Sequence, residues 1–308
     1  MSDLSIIIVS WNTELLLAGC LASVASNVSQ LAAYKVEVVV VDNASTDSTL
    51  SMLRQQYSWV RVIASEQNLG FAGANNRGIE QSSGNYIMLL NPDTILLDGA
   101  LAALLEFMSE HLEVGAVGSR LLNPDHTLQM SCYPFPTLFR EFWRLLHLDI
   151  LYPLALYPVA KWAIDLPREV DVLQGAALIV RRDIVEAIGL LDEDYFMYTE
   201  EVDWCRRIKG AGWRNYWLPA SQVIHFGGQS TKQVAGSMFL QLYQSKLRYF
   251  RKHSGALAGF TYKLILLVGA LLRLISTPLI RILPPEARAE NYALARRYAA
   301  LIRQLPSM

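Results

Sequence analysis

The sequence predicts an α/β domain, a sheet covered by helices on both faces, followed by a helical, basic and apolar C-terminal region. Three observations carry this expectation. Short runs rich in Val and Ile alternate with helix-patterned segments through the first hundred residues. The chain has 308 residues and is 52% hydrophobic, enough to bury a full core with a stretch left over. The formal charge of -1 hides an asymmetry: residues 246–308 hold 11 Lys/Arg against 2 Asp/Glu, and the preceding residues hold 16 against 26.

In order along the chain, residues 5–10, 36–41, 60–64 and 86–90 are rich in β-branched side chains and bounded by polar turns, the pattern of buried strands. Between them, residues 13–26, 47–57, 73–81 and 98–110 read as helices, with Asn12 or Thr13, and Thr46, at capping positions. Such alternation implies parallel strands with ligands outside their carboxyl ends. Polar residues collect there: Trp11 and Asn12, Asp42 and Asn43, Glu66 to Asn68, and Asn91 to Asp93. Residues 134–167 break the pattern with Trp143, Tyr152, Tyr157, Trp162 and several prolines, and suit an insertion or half of an acceptor site. Strand signals return at 170–180, helices at 182–188 and 200–209, an edge strand at 213–218 and a long helix at 235–253. A catalytic domain is therefore expected over 1–233 and a helical region over 234–308.

Three segments carry chemistry. In Leu89-Leu90-Asn91-Pro92-Asp93-Thr94 a buried strand ends in a turn that presents one carboxylate. Asp93 suits Mg2+ or Mn2+ bridging a diphosphate, which needs only one or two protein carboxylates; Asn-Pro-Asp is also ordinary turn chemistry. In Tyr198-Thr199-Glu200-Glu201-Val202-Asp203 three acids crowd a helix start. Acids there compensate the macrodipole, but Tyr195, Phe196, Tyr198 and Trp204 would also desolvate them and raise their pKa values, as a general base requires. Glu201 is the chosen base, Glu200 the alternative, and Asp203 a structural or donor-binding carboxylate. In Val223-Ile224-His225-Phe226-Gly227-Gly228-Gln229-Ser230-Thr231 a histidine precedes two glycines. His225 is either a satisfied core residue or part of a metal shell. Asp42 either caps the next helix or accepts an N–H from a pyrimidine ring.

Ile8-Val9-Ser10-Trp11-Asn12, Val41-Asp42-Asn43-Ala44-Ser45-Thr46-Asp47, Asn68-Leu69-Gly70-Phe71-Ala72-Gly73-Ala74-Asn75-Asn76, Leu90-Asn91-Pro92-Asp93 and Glu200-Glu201-Val202-Asp203 together resemble family 2 glycosyltransferases of the GT-A fold, especially their rhamnosyltransferase-like branch. The resemblance runs from about residue 4 to 230. It implies a Rossmann-like mixed sheet, a divalent metal, and inverting transfer from a UDP- or dTDP-sugar to a glycan or lipid-linked glycan. It also implies that Ser10, Trp11, Asp42, Asn68 and Asn75 surround the nucleoside. Asn91 and Asp93 would stand at the family's Asp-X-Asp, with Asn91 removing one charge. Gln174-Gly175-Ala176 would lie beside the donor sugar, Glu201 would be the base, and His225 would match a metal-binding position.

Cys20, Cys132 and Cys205 are an odd number without metal-type spacing, which fits a reducing cytoplasm, and no signal peptide is read at the N-terminus. The basic tail is dominated by Leu, Ile and Ala, which favours an anionic membrane surface over nucleic acid. Residues 264–283 are apolar around a central Arg273; an interfacial helix with Lys263, Arg273 and Arg281 at the headgroups explains the charge better than a span. That places the protein peripherally on the cytoplasmic face. Packing on the domain, or a homodimer through Tyr292, Leu294, Tyr298 and Leu301, is the other use of the tail. The rival functions are a nucleotidyltransferase, disfavoured because Ser10-Trp11-Asn12-Thr13 lacks a glycine-rich basic loop, and a non-catalytic membrane-associated sugar-binding protein.

Overall fold

A computed structural model describes residues 2–229, 233–278 and 284–308, with only the backbone at 285 and 287. Ser230, Thr231, Arg281 and the end of the 264–283 stretch lie outside the described residues. The chain divides into two units, one comprising 1–135, 158–196 and 200–233, the other 136–157, 197–199 and 234–308.

The first unit is built on a mixed sheet. β1 (Leu4–Ser10), β2 (Val36–Asp42), β3 (Arg61–Ala64) and β4 (Tyr86–Leu90) pair in parallel in the order β3-β2-β1-β4. Their sequences are nearly continuous apolar runs because both faces are covered: Ile6, Ile7 and Ile8 are all fully buried. Each such side chain contributes about 1.5–3 kcal/mol by leaving water. α1 (Glu14–Ser29), α2 (Thr49–Gln56) and α3 (Gly70–Glu80) are the crossovers. The sheet then continues through β10 (Ala177–Arg181), antiparallel to both β4 and β6 (Val114–Leu122), and β11 (Arg214–His225), parallel to β6. It closes on β5 (Thr94–Leu96), while β8 (Arg168–Val170) pairs with β11. β7 (Cys132–Tyr133) and β9 (Val172–Leu173) form a separate two-stranded sheet. α4 (Ala100–Glu110), α6 (Arg182–Ile188) and α7 (Glu200–Gly210) complete the layers.

Several expectations need correction. The strand expected at 213–218 runs to His225 and is not an edge; β6 and β5 flank it, so its second half is buried on account of pairing that its own polar residues do not announce. The single strand expected at 170–180 is three short pieces. β6 was not anticipated at all. Its Val-Gly-Ala-Val-Gly-Ser core lacks bulk because neighbours approach closely: a Cβ on Gly118 would meet the Leu173 side chain at 2.7 Å. The mixed sheet implied by the resemblance is present: the first four strands pair in parallel, as do β6 and β11, while β10 and β5 run antiparallel to their neighbours.

In the second unit, α5 (Leu138–Leu145) packs with α8 (Ala235–Ile275), which extends well beyond the expected end and turns at Gly255, where φ is 84°. Lys246 Nζ contacts Glu141 at 2.7 and 3.0 Å, and the Tyr262 hydroxyl reaches the same carboxylate at 3.4 Å. α9 (Pro285–Gln304) buries Tyr298 and Leu301, with the Tyr298 ring against Phe239. Those two side chains are therefore buried inside the unit.

Candidate active site

Ser10, Asp42 and Asn91 lie at one end of the sheet, with Asp93 following Asn91 and His225 reaching the same turn through the pairing of β11 with β5. β1, β2 and β4 point their carboxyl ends there, and β10, antiparallel to β4, begins there with Ala177 opposite Leu90. Order reverses between β1's two neighbours, which opens a crevice.

Ser10 ends β1 with its Oγ 2.9 Å from Thr13 Oγ1, and Trp11 follows, half-buried. Asp42 ends β2 and is 2% exposed. Its Oδ2 accepts from the Ser45 N–H at 3.3 Å, while Oδ1 is buried with no hydrogen-bond partner. An unsatisfied buried acceptor costs about 1–3 kcal/mol, more when charged, so an incoming N–H would stabilise this position. Asn43, named from the sequence only as a polar residue after the second strand, shapes the next loop. Its amide donates to Asn68 Oδ1 at 3.0 Å and to the Gly70 carbonyl at 3.2 Å, and its Oδ1 accepts from the Leu69 N–H. Asn68 Oδ1 also takes the Gly70 N–H at 2.9 Å. Gly70 itself has φ 72°, and a Cβ there would collide with the Phe196 carbonyl, which accepts the Phe71 N–H at 2.8 Å. Asn75 is buried and donates back to the Phe71 carbonyl at 2.9 Å, and Asn76 clamps Leu191 and Glu193. Asn68, Asn75 and Asn76 thus hold the loop and helix that border the crevice.

Asp93 and His225 converge. β5 pairs with β11 so that His225 lies opposite Thr94, and this brings His225 Nε2 to 3.3 Å from Asp93 Oδ1, both side chains under a tenth exposed. Asn91 Nδ2 lies 3.3 Å from the same nitrogen. On the other ring nitrogen, Nδ1 is 2.6 Å from Gln129 Oε1. Thr94 steadies the turn by donating to the Asn91 carbonyl at 2.7 Å. Gln129 gave no local signal: it arrives through a hairpin after β6, closed by the turn at Asn123 and by its own N–H to the Leu121 carbonyl.

Glu201 sits on the other flank of the same strand end. The Asn91 N–H donates to the Ala176 carbonyl at 2.9 Å, and a Cβ placed on the preceding Gly175 would be 3.7 Å from Glu201 Cβ. Gln174 is held by its N–H to the Ser131 carbonyl, and its Oε1 is buried without a hydrogen-bond partner. The two glutamates at the start of α7 differ. Glu200 is 4% exposed, and burial first, then the Glu201 charge, hold its carboxyl well above the usual range. Glu201 is partly exposed. Asp203 is fully buried in an ion pair with Arg207 at 2.8 Å, and Arg207 also caps the carbonyls of Ile188, Gly189 and Leu190. That pairing fits the structural reading of Asp203.

The glycosyl transferase family 2 model matches residues 5–160, half of the chain. This chain belongs to that family. Among its family 2 relatives, an N-acetylglucosaminyl-diphospho-decaprenol L-rhamnosyltransferase of Mycobacterium tuberculosis (strain CDC 1551 / Oshkosh) is 30% identical over 240 residues, 71% of this chain and 76% of the relative. Rhamnosyltransferase WbbL of Escherichia coli (strain K12) is 25% identical, covering 70% of this chain and 82% of its own. A solved mannosyltransferase of Pyrobaculum calidifontis, in complex with GDP-Man and Mn2+, superposes with a TM-score of 0.57 at 17% identity, over 99% of this chain and 89% of that one. The fold is that of GT-A enzymes, and this family 2 chain is a rhamnosyltransferase-like glycosyltransferase, which sets aside the nucleotidyltransferase and non-catalytic readings.

Proposed function

We propose that this glycosyltransferase is an inverting, metal-assisted enzyme of cell-surface polysaccharide synthesis. It transfers a sugar, L-rhamnose by analogy with its relatives' names, from a UDP- or dTDP-linked donor to a hydroxyl of a glycan or lipid-linked glycan. The observation that carries this is the approach of His225 to Asp93 at 3.3 Å just past β4, with Glu201 beside Gly175, whose neighbour Ala176 accepts the Asn91 N–H.

The pair offers one carboxylate oxygen and one imidazole nitrogen, and among the described residues no group of three or more His, Cys, Asp or Glu gathers. A cation on a diphosphate takes few protein ligands, because phosphate oxygens and water fill the remaining positions. Asp93 and His225 therefore fit Mn2+ or Mg2+, which when bound there would neutralise charge on the departing diphosphate. Asp42 Oδ1 accepts the ring N–H of a uracil or thymine, with Ser10 and Trp11 beside it. Gln174 and Gly175 border the sugar, Gly175 because a Cβ there would press on the Phe71 ring at 3.3 Å. Glu201 takes the proton from the acceptor hydroxyl as its oxygen attacks the anomeric carbon. Release of nucleoside diphosphate from a panel of UDP-, dTDP- and GDP-sugars, with and without Mn2+ or Mg2+, tests this. Cation-dependent turnover of one donor is expected; a panel that is neither hydrolysed nor transferred in either condition would sink it.

The second unit supports work at a membrane surface. Among the described residues one helix, α8, is long and apolar enough to cross a membrane by length and composition. After its turn at Gly255 one face is buried, with Ala258, Tyr262, Leu266 and Ala270, and another is exposed, with Leu257, Phe260, Leu264, Val268, Leu271 and Ile275. A helix with one face packed on protein and a single apolar stripe in the open suits lying in the interface, not spanning. Arg273 is not a free headgroup ligand as expected from the sequence, since its guanidinium donates to Asn291 Oδ1 at 2.6 Å. The net basic charge of 246–308 supplies attraction to anionic lipid. The full chain should co-sediment with vesicles containing anionic phospholipid, and L257D together with F260D should abolish this; equal binding by the double variant would end the interfacial reading.

A further inference from the structure

The surroundings of His225 carry one more step, which rests on the metal site proposed above. Gln129 touches His225 twice. Its amide nitrogen donates to the His225 backbone carbonyl at 3.0 Å, and its Oε1 lies 2.6 Å from His225 Nδ1. A backbone carbonyl only accepts, so the first contact fixes which end of the amide is nitrogen. Asn123 reinforces that choice, since Gln129 Nε2 also donates to Asn123 Oδ1 at 2.9 Å, and Asn123 spends its own amide on Thr127 Oγ1. The Gln129 oxygen therefore faces Nδ1, and Nδ1 must be the nitrogen that carries the proton. The neutral ring's lone pair is left on Nε2, the nitrogen turned toward Asp93. Asn91 agrees: its Nδ2 is placed to donate to that lone pair at 3.3 Å.

We infer that Gln129 is a positioning residue that locks His225 in the Nδ1–H tautomer, so that Nε2 and Asp93 are presented together to a divalent cation. A partner on the far ring nitrogen fixes tautomer and ring orientation at metal-ligating histidines, and its loss lowers metal affinity about 10–100-fold. The arrangement also gives Asn91 a physical reason. Beside Asp93, an aspartate at 91 would set a second carboxylate acceptor against the Nε2 lone pair, whereas the asparagine amide donates to it.

Two readouts on the full chain test this. Long-range 1H–15N NMR of His225 in metal-free protein, under mildly alkaline conditions and assigned with H225A, is expected to show the proton on Nδ1; a neutral ring with its proton on Nε2 overturns the inference. Mn2+ affinity in the presence of UDP or dTDP, read by electron paramagnetic resonance, is expected to fall about 10–100-fold in Q129M. Q129E keeps an acceptor for Nδ1–H but loses the bonds to Asn123 and to the His225 carbonyl. It should keep the tautomer and bind Mn2+ more tightly than Q129M; equal loss in both variants would make Gln129 a structural residue only. If H225A itself leaves Mn2+ affinity unchanged, the metal site fails and takes this inference with it. Unchanged affinity in Q129M beside an impaired H225A removes only Gln129's role.

Discussion

E201Q is expected to bind nucleotide sugar as the wild type does and to lose about 10²–10⁴-fold in turnover, the usual contribution of a positioned general base. Glutamine preserves volume and hydrogen-bonding length while removing the capacity to take a proton. The backbone entering α7 supports an assignment to this turn: Tyr198 and Thr199 both have positive φ, 67° and 73°, which side-chain-bearing residues adopt at a cost of about 1–3 kcal/mol each. Such strain is retained where it aims something. The neighbouring acid provides the control. Burial holds the Glu200 carboxyl above its usual range, so its folded pKa exceeds its unfolded one. The associated stability is present at low pH and is lost as pH rises past the unfolded value near 4.5. E200Q mimics the protonated acid. It should keep most activity and melt higher than wild type at neutral pH, with the advantage shrinking in acid. Rate and nucleotide affinity measured for both variants decide between them: full turnover by E201Q, or its loss only in E200Q, would reassign the base.

The second large effect is on stability. E141Q is expected to destabilise the protein by about 3–5 kcal/mol, because it leaves Lys246 as an uncompensated, largely buried charge. The two side chains are 6% and 13% exposed and meet at 2.7 Å, with the Tyr262 hydroxyl on the same carboxylate. Desolvation of both ions offsets much of their attraction, so the pair is costly to break without being strongly stabilising. Replacing both, as E141L with K246M, should therefore recover most of the loss. Thermal and denaturant melts of the single and double variants check this; a single variant as stable as wild type would show that water reaches the pair.

Particular residues mark where sequence reading succeeds and where it stops. β1, β2 and β4 were legible because burial on both faces forces continuous Val and Ile runs, a signal that is local. β6 was not, because close neighbours demand Gly115 and Gly118, and a strand of small residues carries no hydrophobic period. β11 was read short because its polar end is paired by β5 and β6, which lie about a hundred residues earlier. At the site, local patterns placed Asp42, Asp93, Glu201 and His225 at the ends or starts of elements, but left each between a structural and a functional role until the resemblance was considered. Gln129 and Asn43 act on groups far along the chain, and nothing adjacent to them says so.

The sequence by itself determined an alternating strand and helix core with polar residues at the strand ends, because these are set by local patterns, and its motifs carried the resemblance to family 2 glycosyltransferases. Tertiary structure alone decided that Glu200 is nearly fully buried while Glu201 is partly exposed, that Asp203 pairs with Arg207, and that His225 faces Asp93 with Gln129 behind it. Burial and side-chain partnership are set by residues distant along the chain, and a carboxylate or imidazole acquires its chemistry from them.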